Sequence, residues 1–173
     1  ASLPDLLGRL GVEHAVFIGH SDGGSIALLF AAQFPDIAQA IVTMAAHVVV
    51  EPETVQGIEN ARERFARGPL RERLERYHGS NTTSMFEGWS GVWLDPAFRH
   101  WDIRGDLRKI RCPLLAIQGT ADPYGTPAQL DAIREHAGGS AAVSLLSGCG
   151  HLPHRDDPEA VITAVSALVA RLG

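Results

Sequence analysis

Gly19-His20-Ser21-Asp22-Gly23 lies between a short apolar run, Ala15-Val16-Phe17-Ile18, and an Ala/Leu-rich stretch, Ile26 to Phe34, that Pro35 stops. A Gly-x-Ser-x-Gly string in that setting reads as a strand turning sharply into a helix. So tight a turn forces the serine into a strained backbone conformation, and Gly19, Gly23 and Gly24 let neighbouring chain approach without side-chain clash. The Ser21 oxygen is then presented above the carboxyl end of a sheet, next to a helix N-terminus. Negative charge developing there meets backbone N–H groups and the favourable end of the helix dipole, the N–H of Asp22 being one expected donor.

The rest of the chain repeats the strand–helix rhythm. Ala40 to Met44, Leu114 to Ile117 (closed by Gly119) and Ala142 to Leu146 (closed by Gly148) are further buried-strand candidates. A helix is predicted from Pro127 to His136, with Thr126 as its N-cap. A last helix is predicted over 158–172, where Val161, Val165, Leu168 and Leu172 share a face. Strands apolar throughout and separated by helices indicate a mostly parallel α/β sheet of about four strands, covered on both faces. Residues 45–105 break the rhythm. Val55, Ile58 and Phe65, then Leu70, Leu74 and Tyr77, then Phe86, Trp89 and Trp93 recur at helical spacing, and all three tryptophans fall here. This segment reads as a helical insertion between two strands; the core is 1–44 and 106–173.

Composition narrows the partners. A net charge of −5 with no basic block argues against nucleic acid. No apolar run approaches membrane-spanning length. The two cysteines, Cys112 and Cys149, form no disulfide framework and fit a reducing, cytoplasmic compartment, although the pair is able to bridge. His14, His47, His78, His100 and His136 follow no ligand pattern, so no metal is expected, and no cofactor.

A serine hydroxyl needs a base to act as a nucleophile. His151, in Gly148-Cys149-Gly150-His151, follows the last strand; Asp122, in Gly119-Thr120-Ala121-Asp122, follows the strand before it. Both sit where ligands bind in open α/β sheets, at the carboxyl ends of strands. The plainer alternatives are a turn role for Asp122, ahead of Pro123, and a small buried residue in a glycine turn for Cys149. Asp156 and Asp157 precede Pro158 and are expected to cap the last helix. The Arg/Glu alternation over 59–76 reads as a solvated helix face.

Gly19 through Gly24, Asp106-Leu107 with Ile110 before Cys112-Pro113, Gly119 with Asp122, and Gly148 through His151 together resemble the α/β-hydrolase family over essentially the whole chain. The resemblance implies Ser21 as nucleophile, Asp122 as acid and His151 as base, with 45–105 as a lid. Phe86, Trp89 and Trp93 are then candidates to line a substrate cavity, with plain core as the alternative. His20 and His154 flank the site, where substrate contact competes with packing or solvent exposure. The implied substrates are small or medium esters, thioesters, or vinylogous diketones cleaved at a C–C bond. Serine in place of aspartate at position 21 speaks against dehalogenase and epoxide hydrolase chemistry. The rivals are a weakly catalytic binding protein of the same fold and an inactive fragment. Family members carry several strands, and a second oxyanion donor, ahead of the elbow; neither has a counterpart here. The expectation is an open edge beside the nucleophile strand, completed by a missing N-terminal segment, a companion chain or a second copy.

Overall fold

The computed structural model describes residues 2–172. Helix α1 (Leu3–Arg9) opens on a capping box between Ser2 and Asp5. Strand β1 (Ala15–His20) runs into α2 (Asp22–Gln33), and β2 (Ala38–Met44) follows. The insertion comprises α3 (Pro52–Ala66), α4 (Pro69–His78) and α5 (Thr82–Leu94), with short 3-10 turns at Gly79–Asn81 and Pro96–His100. The core resumes with α6 (Arg104–Leu107), β3 (Leu114–Gly119), α7 (Ala128–His136), β4 (Ala141–Leu146), α8 (Pro153–Asp156) and α9 (Pro158–Val169).

The four strands form one parallel sheet in the order β1-β2-β3-β4. Two-residue alternation divides its side chains between two cores. Ile41, Leu114 and Ala116 pack against α2, α6 and α7 through Leu28, Ala31, Leu107 and Ile133. Val42, Met44, Leu115 and Ile117 face the opposite way, onto Val161 and Leu168 of α9. Coverage on both faces explains why β2 and β3 are mostly apolar, Gln39, Thr43 and Gln118 being their polar residues. β1 and β4 are the sheet's edges among the described residues, and Ile18 on β1 and Ile26 on α2 are more than half exposed.

Several boundaries differ from the sequence expectation. Helix α2 begins at Asp22, four residues before Ile26, because the elbow itself is the first helical turn. α7 begins at Ala128; Thr126 still accepts from the Ala128 N–H, but its hydroxyl is drawn onto Glu51. α9 ends at Val169. Asp157 caps α9 through the Ala160 N–H, whereas Asp156 accepts from the Gly150 N–H at 2.8 Å and so braces the loop before His151.

The insertion has its own small core, where Phe65 and Phe86 stack with ring centroids 4.0 Å apart. Leu70 and Leu74 of α4 pack onto it, but Tyr77 is 80% exposed despite sharing their spacing. An antiparallel bridge between Val49 and Asp102 closes the base of the insertion. Residues 45–48 below it are buried with the sheet core.

Candidate active site

Ser21 has φ 53° and ψ −125°, a region L-residues avoid. Three features hold it there. Its N–H donates to the Met44 carbonyl at 2.8 Å, tying the elbow to β2. A Cβ at Gly19 would run into the Gly23 backbone, and one at Gly24 would meet the Ala46 Cβ at 2.7 Å. The Ser21 carbonyl accepts from Gly24 and Ser25, while the N–H groups of Asp22 and Gly23 have no intrahelical acceptor and remain as donors.

The loops that carry Asp122 and His151 are locked to each other in the same way. Ala121 N–H donates to the Cys149 carbonyl at 2.8 Å, and Gly148 N–H to the Thr120 hydroxyl at 2.8 Å. A side chain at Gly119 would collide with the Cys149 carbonyl. Cys149 is therefore a small buried residue in a glycine turn.

This architecture brings Ser21, Asp122 and His151 together. His151 Nε2 lies 3.0 Å from Ser21 Oγ, and His151 Nδ1 lies 2.9 Å from both carboxylate oxygens of Asp122. A carboxylate only accepts, so Nδ1 carries the proton and Nε2 presents its lone pair to the serine hydroxyl. The Asp122 side chain is fully buried. It is held by two further donors, the Tyr124 N–H at 2.9 Å and Gln118 Nε2 at 2.6 Å.

A cavity of about 130 Å³ opens over Ser21. Asp22, His47, Tyr124 and His151 line its core side; Thr54, Ile58, Trp89 and Trp93 line it from the insertion. A larger open groove of about 350 Å³ along Val50, Val55, Glu59 and Arg99 holds none of the three aligned groups. Of the aromatic candidates, Trp89 and Trp93 face the cavity. Phe86 does not: its stack on Phe65 turns it into the insertion's own core.

His20 is also not in the lining. Its Nε2 donates to the His151 carbonyl at 2.6 Å, and its ring meets His151 and His154 edge-on at 4.9 and 5.2 Å. Burial pushes the His20 imidazole below its ordinary pKa. It braces the main chain of His151 from outside the cavity.

Five residues around the site are absent from the sequence reading of it, Ile58 among them as an apolar helix-face residue. Gln118 is the lone amide in an apolar strand, and Tyr124 follows Asp122 by two; Tyr124 also packs its ring edge-on to His151 at 4.7 Å. His47 interrupts the apolar run from Ala45 to Val50; its Nε2 donates to the Tyr124 carbonyl at 2.8 Å, and burial lowers its pKa. Thr54 carries no local signal, since only the fold turns it toward Ser21.

A four-stranded parallel sheet covered by helices on both faces, with serine, histidine and aspartate aligned at its carboxyl edge, defines the α/β-hydrolase class. Residues 1–164 match the alpha/beta hydrolase family, and the chain belongs to it. It is 29% identical over 145 residues to serine hydrolase BPHL of Homo sapiens, covering 79% of this chain and 48% of that protein. It is 33% identical over 96 residues to epoxide hydrolase A of Mycobacterium tuberculosis, covering 54% of this chain and 30% of that protein. The chain thus spans about half or less of the curated relatives it matches. Among solved structures it resembles the meta-cleavage product hydrolase of Pseudomonas fluorescens, with a TM-score of 0.78 at 18% identity, over 97% of this chain and 69% of that one. None of the described helices is long and apolar enough to cross a membrane.

Proposed function

We propose that the protein is a serine hydrolase acting on small carboxylic esters, thioesters or cleavable C–C bonds through an acyl-enzyme. The observation that carries this is the unbroken line Ser21 Oγ–His151–Asp122, at 3.0 and 2.9 Å. In this reading Ser21 Oγ attacks the substrate carbonyl carbon while His151 Nε2 takes its proton. Asp122 keeps Nδ1 protonated and stabilises the imidazolium. The Asp22 N–H, at the start of α2, stabilises the oxyanion. The tetrahedral adduct collapses, His151 returns the proton to the leaving group, and the acyl-enzyme remains. Water then attacks the acyl carbonyl as His151 takes a proton, and Ser21 leaves with that proton.

The insertion acts as a lid whose Ile58, Trp89 and Trp93 exclude water, and the cavity's size favours short acyl groups. Epoxide opening is disfavoured chemically. Serine attack on an epoxide carbon leaves an ether, which has no carbonyl for water to attack; an aspartate would leave a hydrolysable ester. The test is labelling with a fluorophosphonate and hydrolysis of p-nitrophenyl butyrate. We expect one covalent adduct, on Ser21, and activity abolished by Ser21→Ala. A folded protein that forms no adduct refutes the covalent mechanism.

A further inference from the structure

A polar atom buried without a partner is unfavourable, so its presence in a cavity wall marks a place where something binds. Among the described residues three buried side-chain atoms have no hydrogen-bond partner: His47 Nδ1, Thr54 Oγ1 and Ser90 Oγ. His47 and Thr54 both line the cavity over Ser21. They are only 3% and 1% exposed. They come from different parts of the fold, His47 from the loop after β2 and Thr54 from the first turn of α3. No single local turn accounts for both.

Their hydrogen-bonding roles follow from their surroundings. The Tyr124 carbonyl can only accept, so His47 Nε2 carries the ring's proton. Burial keeps the ring neutral, which leaves Nδ1 as a bare acceptor. The Thr54 hydroxyl is free to donate. One acceptor on the core side of the cavity and one donor on its insertion side match a hydroxyl group, which does both. A carboxylate has nothing to offer the His47 lone pair, and an ammonium has nothing to accept from Thr54. The neighbouring wall of Ile58, Trp89 and Trp93 suits the carbon chain that would carry the hydroxyl.

We propose that the cavity over Ser21 recognises a hydroxyl group on the acyl chain of its substrate, with His47 Nδ1 accepting from it and Thr54 Oγ1 donating to it. This assignment rests on the hydrolase reading of Ser21 and names its substrate class. An unsubstituted chain leaves both buried atoms unpartnered, and a site built to bond a hydroxyl discriminates strongly against the analogue that lacks it. The rival occupant is a water bridging the two atoms, which would make the site indifferent to the hydroxyl.

The experiment compares kcat/KM for p-nitrophenyl butyrate, 2-hydroxybutyrate and 3-hydroxybutyrate, each normalised to its hydroxide-catalysed rate. One hydroxy ester should be preferred over butyrate by at least about tenfold, and Thr54→Val, which keeps the shape and removes the hydroxyl, should bring the ratio within about twofold of one. His47→Phe serves as the second variant should Thr54→Val unfold. Binding of the three corresponding amides to the Ser21→Ala protein, read by calorimetry, requires no chemistry. A tighter hydroxy amide there, in a protein that hydrolyses no ester, would keep the subsite and remove only the hydrolase reading. A ratio near one in the wild type, a preference untouched by either variant, or equal or undetectable binding of all three amides overturns the proposal.

Discussion

Replacing Asp122 by asparagine tests the alignment of the three groups most directly. The carboxylate accepts from three N–H donors: Tyr124 N and Gln118 Nε2, one on each oxygen, and His151 Nδ1 between the two. An amide keeps only one oxygen. The Tyr124 N–H belongs to the main chain and cannot turn away, so the oxygen stays on it and the new NH₂ faces Gln118. Gln118 can flip its own amide to accept, giving up its 3.3 Å bond to the Gly125 carbonyl. His151 Nδ1, equidistant from both positions, then faces an NH₂ as well as the oxygen shared with Tyr124; pairing with the NH₂ leaves Nδ1 bare and puts the ring's proton on Nε2, where it cannot accept from Ser21. Such a tautomer inversion lowers kcat by about 10⁴ in the well-studied serine triad. At about 1.36 kcal/mol per decade, that is roughly 5 kcal/mol of lost transition-state stabilisation. Stability should change far less. Imperfect pairing of a buried donor costs about 1–3 kcal/mol, and each kcal/mol moves the melting temperature of a domain this size by about 2–4 °C. Ester hydrolysis and a thermal melt on the same sample separate the two effects. Asp122→Asn protein that melts within a few degrees of wild type yet keeps more than a tenth of its activity refutes the tautomer argument.

Three more outcomes follow from the packing. Gly19→Ala would force a Cβ into the backbone of Gly23 and Gly24, so soluble yield or melting temperature should collapse; Gly23→Ala meets nothing within 4 Å in the first turn of α2 and should be neutral or stabilising by about 0.4–1 kcal/mol. Ser21→Gly should raise stability by about 1–3 kcal/mol while abolishing hydrolysis, because glycine tolerates the positive φ that strains serine; an unchanged melt would show that the elbow is not strained. His47 is held below the ordinary imidazole pKa of about 6.5 chiefly by burial, so the unfolded chain binds its proton more readily and stability should fall as pH drops below that value. His47→Gln should flatten the melting-temperature slope between about pH 6.5 and 5, and an identical slope in both proteins would show that His47 does not contribute.

The parts of this molecule that were legible in its sequence are those dictated by the main chain. Gly19, Gly24 and Gly119 are required because backbone passes where a side chain would sit, and that requirement survives as a pattern of letters. The parallel strands were legible because β2 and β3, covered on both faces, are mostly apolar. Failures fell where long-range contacts decide. Helical spacing grouped Tyr77 with Leu70 and Leu74, but the insertion's core takes in the two leucines and leaves Tyr77 outside. Phe86 and Trp89 are neighbours on α5, and the ring of Phe65 determines which of them turns inward. His20 lies beside Ser21 in sequence, yet its partner is a carbonyl 131 residues away. His47 and Thr54 look like ordinary loop and helix residues until the fold closes a cavity around them.

The base of the insertion and the loop of Asp122 form one buried network. Gln129, fully buried on α7, accepts from the Val48 N–H at 2.8 Å and donates to the Val49 carbonyl at 3.1 Å and to the Glu51 carboxylate at 2.7 Å. Glu51 in turn accepts from the Thr126 N–H at 2.9 Å. A side chain at Gly57 of α3 would strike the Pro123 carbonyl, so α3 lies against the chain immediately after Asp122. Thr54 and Ile58 of the same helix are therefore registered on the loop of Asp122. α4 is different: it has no fully buried residue, and its Arg71–Glu75 ion pair is solvent-exposed, a kind of contact worth at most about 1 kcal/mol. In the proposed reading of the insertion as a lid, movement that admits substrate is thus cheapest at its α4 end. The wall carrying Thr54 is held by the Gly57–Pro123 contact and the Gln129–Glu51 network, and the proposed discrimination by a single hydrogen-bonding group requires such rigidity.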